Sequence, residues 1–558
     1  MRVPWGFLKR VLAGSTFGLY MGHLLYFLNP QIPITPARLA TVTFAYGIIC
    51  GLLFGTILWM LRLGRLRLFG RAESSEHRRY GFGLVVSAAF VSAAVYWAHY
   101  LVFRIYLPNS AAKILSKGTN IIAGAAFVLL ALWLYERSSR RNVSRIVFGI
   151  GLALIALSSF FLYERREEYR TNERTVVVAD VGLVAGRRPV VVVTIPNLPH
   201  DWVVGLIGEG LLPFFEDTRN EAFITRIEPF TATSPKAVWA SLATGQLPFR
   251  HRVTGRYSYM TALNPPDEPF LILPSWVGFR AWGLIPPVER ISAPLPSGRS
   301  LPFWTMFERV GVPTAVVNWP VAGSDTTSAS LLVTEDFIAR RAVAEALPDS
   351  VQARFGSAGR ARGEVLEALA TDLRAWSHVE AAVRTKKYAL TAVALSGLSV
   401  VQYRLDLEGN ELPAADTPRG DSLRAYMQQV DSMLGALRSA APDAILIIVS
   451  PTGPHPPVLF SNPVALVEAI VDSFDPGRAD GFLAMSGEGV IHRDSSPAAR
   501  IVDLAPTTLF AAGLPIPRDS DGRVLTESFT PRLLGENSLS IIQTYDAERL
   551  IVRRAGER

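Results

Sequence analysis

The sequence predicts an N-terminal α-helical transmembrane bundle of about five spans, followed by a water-soluble α/β domain with a mostly parallel sheet between helical layers. Three observations lead there. Five apolar stretches of spanning length fall before residue 165, arginine is concentrated in two of the loops between them, and beyond residue 188 short β-branched runs alternate with helical stretches. The boundaries that follow are 1–165 for the transmembrane part, 166–187 for a charged linker, 188–535 for the α/β domain and 536–558 for a C-terminal tail. A chain of 558 residues exceeds what one core usually supports, so at least two units are expected.

A helix needs about 20 mostly apolar residues to cross the hydrocarbon layer, because every backbone group must be bonded within the helix there. Residues 7–28, 39–61, 82–102, 121–135 and 146–163 meet that description, the fourth being the shortest. Residues 62–79 carry six arginines and 136–141 carry three, whereas 29–37 have no basic residue. The positive-inside rule places the Arg-rich loops in the cytoplasm and, with Arg2, Lys9 and Arg10, the N terminus as well. Five crossings then put everything after Tyr163 outside. The first span has no small-residue cleavage site behind it, so it reads as a retained anchor. His23 and His99, in apolar runs, read as interfacial or bundle-facing side chains.

Composition narrows the function classes. A mean hydropathy of +0.25 is high for a soluble protein and reflects the first third. The net charge of +8 comes from residues in short loops rather than one basic face, which argues against nucleic acid as a partner. Cys50 is the single cysteine, so no intrachain disulfide or thiolate metal site can form. No phosphate-binding loop, dinucleotide fingerprint, paired-cysteine motif or His-Glu-x-x-His is present.

In the soluble part, 190–195 (VVVVTI) and 444–450 (AILIIVS) are continuous apolar runs, as strands buried on both faces of a parallel sheet require. Residues 314–318 and 392–401 look similar, while 360–385 and 422–439 read as helices. Alternation of this kind gives an α/β layered domain, whose ligand site lies beyond the carboxyl ends of the strands.

Residues 229–245 (PFTATSPKAVWASLATG), followed by QLPFRH to His251, resemble the nucleophile region of the alkaline phosphatase superfamily, closest to its type I phosphodiesterase and nucleotide pyrophosphatase branch. Thr233 or Ser234, both before Pro235, would be the nucleophile at the helix N terminus, where the dipole and free N–H groups favour an anion. The alternative for either hydroxyl is a helix cap. Asn318-Trp319-Pro320, the stretch 333–337 (VTEDF) and 501–525 (IVDLAPTTLFAAGLPIPRDSDGRVL) resemble further elements of the same branch. The likeness covers about residues 188–530.

The resemblance implies two divalent, zinc-type metals held by Asp and His at strand ends. Position by position the ligands fail. Pro196 stands after the first strand; Ser399 and Tyr403 replace a carboxylate and an imidazole; Pro451 and Thr452 replace the ligands of a Ser-Asp-His-Gly element. His200, Asp201 and His455 are the neighbours that could substitute, and the five histidines of this part (His200, His251, His378, His455, His492) otherwise read as loop or surface residues.

The expectation is a membrane-anchored, extracytoplasmic protein of the inner or plasma membrane, with a degenerate domain that acts as a binding or regulatory module of the cell envelope. No cofactor is expected, and the expected partners are membrane lipid and other envelope proteins. The alternative is an active hydrolase or transferase on phosphodiester, phosphate or sulfate esters, which would need the two metals.

Overall fold

A computed structural model of the chain describes residues 35–69, 109–139, 178–183, 188–228, 235–253, 300–322, 329–334, 359–405, 412–452, 481–493, 497–537 and 539–554, with shorter stretches and single positions between them. The chain divides into two units. One comprises 1–173, 254–293 and 458–474; the other comprises 174–253, 294–457 and 475–558.

In the first unit two helices among the described residues are long and apolar enough to span a membrane, Pro36–Leu61 and Ser116–Ser138. They correspond to the second and fourth predicted spans, so the five-span bundle is not supported beyond these two. The other three stretches lie largely or wholly outside the described residues. The fourth span is longer than its apolar core suggested, because Ala- and Lys-containing turns extend the helix over Asn109–Ser139.

The first long helix begins where Thr35 Oγ1 accepts the Arg38 N–H (3.3 Å), and it runs through a π-helical stretch, Thr43–Ile49, into Cys50–Phe69. Its hydroxyls are satisfied internally: Thr41 donates to the Ala37 carbonyl and Thr56 to the Leu52 carbonyl. Gly51 and Gly55, four apart, let the N-terminal segment approach so closely that a Cβ at Gly51 would fall 2.1 Å from Ser15 Oγ, and one at Gly55 2.6 Å from Val11 Cα. Small residues at that spacing are the usual seam of packed apolar helices. Phe7 and Trp59 add an edge contact at 5.7 Å.

The strands are β1 Val178–Leu183, β2 Val190–Thr194, β3 Phe223–Glu228, β4 Tyr257–Met260, β5 Glu289–Ser292, β6 Thr314–Val317 and β7 Leu331–Val333. They continue as β8 Leu390–Ala394, β9 Ile445–Ser450, β10 Gly481–Ser486, β11 Ala499–Arg500, β12 Ile516–Pro517, β13 Ile541–Ile542 and β14 Arg549–Arg554. The second unit is built on an eight-stranded sheet in the order β11-β3-β10-β9-β2-β8-β6-β7. Only β10 runs against its neighbours, so the sheet is mostly parallel. β2, β8 and β9 are buried along their whole length, which the unbroken apolar runs anticipated.

Val191, Val193, Val393 and Ile448 pack into a core with the helices His200–Gly208, Gly359–Arg384 and Pro418–Ala440. At about 25 cal/mol per Å² of apolar area, such a two-faced core is the main stabilising contribution.

Two readings need correction. The run 392–401 is not one strand: β8 ends at Ala394 and a helix, Gly397–Leu405, follows. Its start is set by Asp372, from the Gly359–Arg384 helix, whose carboxylate accepts the Gly397 N–H (3.1 and 3.2 Å). That cap is tertiary and leaves no local signal. The linker and tail also contain paired structure: β1 and β14 form a two-stranded parallel ladder from Val178 with Arg549 to Leu183 with Arg554, and Arg553 forks onto Asp180.

Candidate functional site

The carboxyl ends of the central parallel strands bring together residues from four crossings. After β2 the chain turns through Pro196 and Asn197, and Asn197 is held at φ +62°, a conformation Asn tolerates better than most residues. Its side-chain oxygen accepts from Thr452 Oγ1 at 2.9 Å, just beyond the end of β9. Its main-chain oxygen accepts from Gln402 Nε2 at 2.7 Å. Ser450, buried at the end of β9, accepts the Leu198 N–H at 3.0 Å and donates to the Thr452 carbonyl. After β6, Asn318 is also left-handed, φ +55°, and donates to the Ala394 carbonyl. Thr194 Oγ1, Asn318 Oδ1 and Gln402 Oε1 are buried without a protein partner, so water is the natural complement. These described strand-end side chains are polar and uncharged.

Of the positions where the resemblance expects ligands, Pro196 and Pro451 are buried, Ser399 is half-buried and Tyr403 is 83% exposed on the Gly397–Leu405 helix. Thr233, Ser234 and His455 lie outside the described residues. His200 opens the His200–Gly208 helix, with Nδ1 3.5 Å from Asp201 Oδ1. His492 is exposed at the surface, while His378 packs its ring on Phe337.

His251 corrects the loop-or-surface reading, since it is buried. Its Nδ1 accepts the Val253 N–H at 3.1 Å, so the Nε2 hydrogen points to Ser241 Oγ at 2.8 Å. Burial pushes its pKa down to about 3, and it is a neutral structural strut. Asp372 is the opposite case. Burial pushes its carboxyl up to about 7 despite hydrogen bonds from the Tyr426 hydroxyl and the Gly397 N–H.

The described parts of the motifs that carried the resemblance pack against one another and clamp a helix end. Trp239, on the Pro235–Thr244 helix, meets Trp319 edge-on at 5.3 Å, and Trp304 and Phe303 complete the cluster. The C-terminal stretch holds the end of the same helix. Asp521 and Gly522 donate their N–H groups to the Gly245 carbonyl, Ser520 Oγ adds a third bond, and the Asp521 carboxylate takes the Leu247 N–H and Arg250. Gly245 sits at φ +68°, and a Cβ there would meet Ser520 Oγ at 2.9 Å. Asp503 similarly ties Arg500 N and Arg523 N. Sequence reasoning missed this clamp, and missed Asn197 as the partner of Thr452; the Asp-x-x-Gly spelling was the signal for the former.

Among the described residues no three His, Cys, Asp or Glu side chains gather where a cation could bind. The described polar side chains at the strand ends are amides and hydroxyls, Asn197 paired with Thr452 and Gln402 Nε2 with the Asn197 carbonyl. They do not fit a pair of divalent metals, which take imidazole and carboxylate donors at closed angles.

The fold defines the class first: an α/β domain built on a mostly parallel sheet. Residues 204–473, just under half of the chain, match the profile of the type I phosphodiesterase / nucleotide pyrophosphatase family. The domain is thus alkaline phosphatase-like in fold. Solved structures with a similar trace include BT1596, a 2-O GAG sulfatase, at 12% identity over 63% of this chain and 76% of that one, TM-score 0.39. The phosphonate monoester hydrolase of Silicibacter pomeroyi is similar at 14% identity over 62% and 77%, TM-score 0.36. The lipoteichoic acid synthase LtaP of Listeria monocytogenes is similar at 12% identity over 63% and 77%, TM-score 0.33. No curated protein sequence matches the chain.

Proposed function

We propose that the second unit is a degenerate member of the phosphodiesterase-like class, a membrane-anchored binding or regulatory module on the extracytoplasmic side of the inner or plasma membrane. One observation carries this reading: Asn197 and Thr452 spend their side chains on each other at the place where metal ligands would stand, between Pro196 and Pro451, which offer no side-chain donor. A hydroxyl at Thr233 or Ser234 without a neighbouring cation keeps its proton at neutral pH, and no charge offsets that of a phosphoryl group.

The surviving clamp around Gly245 supports the same reading, since the frame persists where the ligands do not. A neutral hydrogen-bonding ligand suits the strand ends better than a dianion. Support for anchoring comes from the two long apolar helices and the Gly51/Gly55 seam, and the five-span topology remains the proposed arrangement. Incubation with zinc or manganese followed by dialysis is the test. Retained stoichiometric metal with hydrolysis of a phosphodiester would favour the active alternative instead.

A further inference from the structure

β2, β8 and β6 end side by side. The β2–β8 register sets Thr194 opposite Ala394, and β6, paired with β8 at Val317 and Val393, puts Asn318 level with that alanine. Thr194, Ala394 and Asn318 therefore form one row across the three strand ends, with about 10 Å between the outer Cα atoms and an alanine methyl as the only side chain between the two polar residues. Gln402, on the Gly397–Leu405 helix that follows β8, reaches the turn after β2, where its Nε2 donates to the Asn197 carbonyl.

The hydrogen-bonding capacity left over by these side chains has one sign. Asn318 and Gln402 turn their NH2 ends to main-chain carbonyls, Ala394 at 2.8 Å and Asn197 at 2.7 Å, an orientation that only the nitrogen of an amide satisfies. Their oxygens and Thr194 Oγ1 are buried and have no partner. Backbone donors, by contrast, are spent or missing. Pro196 and Pro451 have no N–H. The N–H groups of Ile195, Leu395 and Asn318 go to the carbonyls of Val449, Thr194 and Val333, that of Leu198 goes to Ser450 Oγ, and that of Gly397 goes to Asp372. The unpaired indole N–H groups of Trp304 and Trp319 belong to the ring cluster with Trp239.

An anion would turn lone pairs toward these oxygens. Water or a polyol hydroxyl donates to them but brings lone pairs for which the two amides have no hydrogen left. A primary ammonium carries three donors and no acceptor, and uncharged oxygens are enough to replace the hydration of a monovalent cation. We propose that the ends of β2, β8 and β6 are a binding site for a primary ammonium group, held by Thr194 Oγ1, Asn318 Oδ1 and Gln402 Oε1, with Pro196 and Pro451 withholding the backbone donors that an anion would need. The assignment rests on the reading of this domain as a binding module. It takes the preference for neutral over dianionic ligands one step further, to cations.

Saturation-transfer NMR of the full chain, in neutral detergent and potassium chloride, tests the site with methylammonium, glycerol and methyl phosphate as probes. The metal-free protein should bind methylammonium alone. Thr194→Val should weaken that binding about tenfold without lowering the thermal midpoint of the free protein, because the hydroxyl has no partner to lose, and Thr194→Ser should keep the binding within about twofold. If Thr194→Val does not fold, Gln402→Met, which removes the Oε1 acceptor, takes its place with the same expected loss. No methylammonium signal, an equal signal from glycerol, a methyl phosphate signal in the metal-free protein, or undiminished binding by the variant overturns the site. Methyl phosphate bound only after zinc is added overturns the binding-module reading itself, whereas a missing methylammonium signal without that overturns the ammonium site alone.

Discussion

Asn197 and Thr452 pair across the ends of β2 and β9, 2.9 Å from oxygen to oxygen, with Asn197 held at φ +62°. The bond has two consequences that can be separated by mutation. Asn197→Ala loses the hydrogen bond and puts in the left-handed region a residue that tolerates it less well than asparagine, so it should cost about 1.5–3 kcal/mol. Asn197→Gly keeps the backbone geometry and should cost under about 1 kcal/mol. Thermal melts of the two variants check this, and equal losses would show that the backbone conformation is not what Asn197 supplies.

The clamp on the Pro235–Thr244 helix predicts a second pattern. Asp521→Ala leaves the half-buried Leu247 N–H without its carboxylate and should cost about 1–2 kcal/mol, with little of it from the exposed Arg250. Gly245→Ala combines positive φ with contact to Ser520, Ala505 and Pro506 and should cost at least about 2 kcal/mol. Denaturant midpoints would register both, and a neutral Gly245→Ala would contradict the clamp.

Asp372 makes stability depend on pH. Its carboxyl is raised from 3.8 to about 7 in the folded chain, so the folded state holds the proton more tightly. That contribution is complete below pH 4 and is lost as pH rises toward 7. Asp372→Asn stays neutral throughout. Relative to the parent chain it should therefore gain about 1–4 kcal/mol between pH 4 and pH 8. Parallel stability curves for the two proteins would rule this out.

Orientation is open to a direct check. A reporter active only outside the cytoplasm should work when fused after Arg174 and fail when fused after Arg71, as the arginine distribution requires. The reverse reporter pattern would sink the orientation.

The architecture was legible where local pattern decides it. The runs at 190–195 and 444–450 announce β2 and β9, and the helices Gly359–Arg384 and Pro418–Ala440 lie within a few residues of their periodic stretches. What was not legible depends on contacts between distant residues. Asp372 starts a helix 25 residues away, β14 pairs with β1 across almost the whole second unit, and residues 254–293 leave one unit for the other. At the site, Pro196, Pro451 and Thr452 could be placed at strand ends from sequence, whereas the exposure of Tyr403 and the burial of His251 could not. A Pro-x-x-His spelling does not say whether the imidazole faces water or Ser241.

The central claim is that the strand ends hold no catalytic metal pair, and elemental analysis of the purified full chain, with phosphomonoester and phosphodiester hydrolysis assayed on the same sample, tests it most directly. The account predicts less than one tightly bound zinc or manganese per chain and no turnover. Two stoichiometric metals, with turnover abolished by Thr233→Ala and by Ser234→Ala, would contradict it.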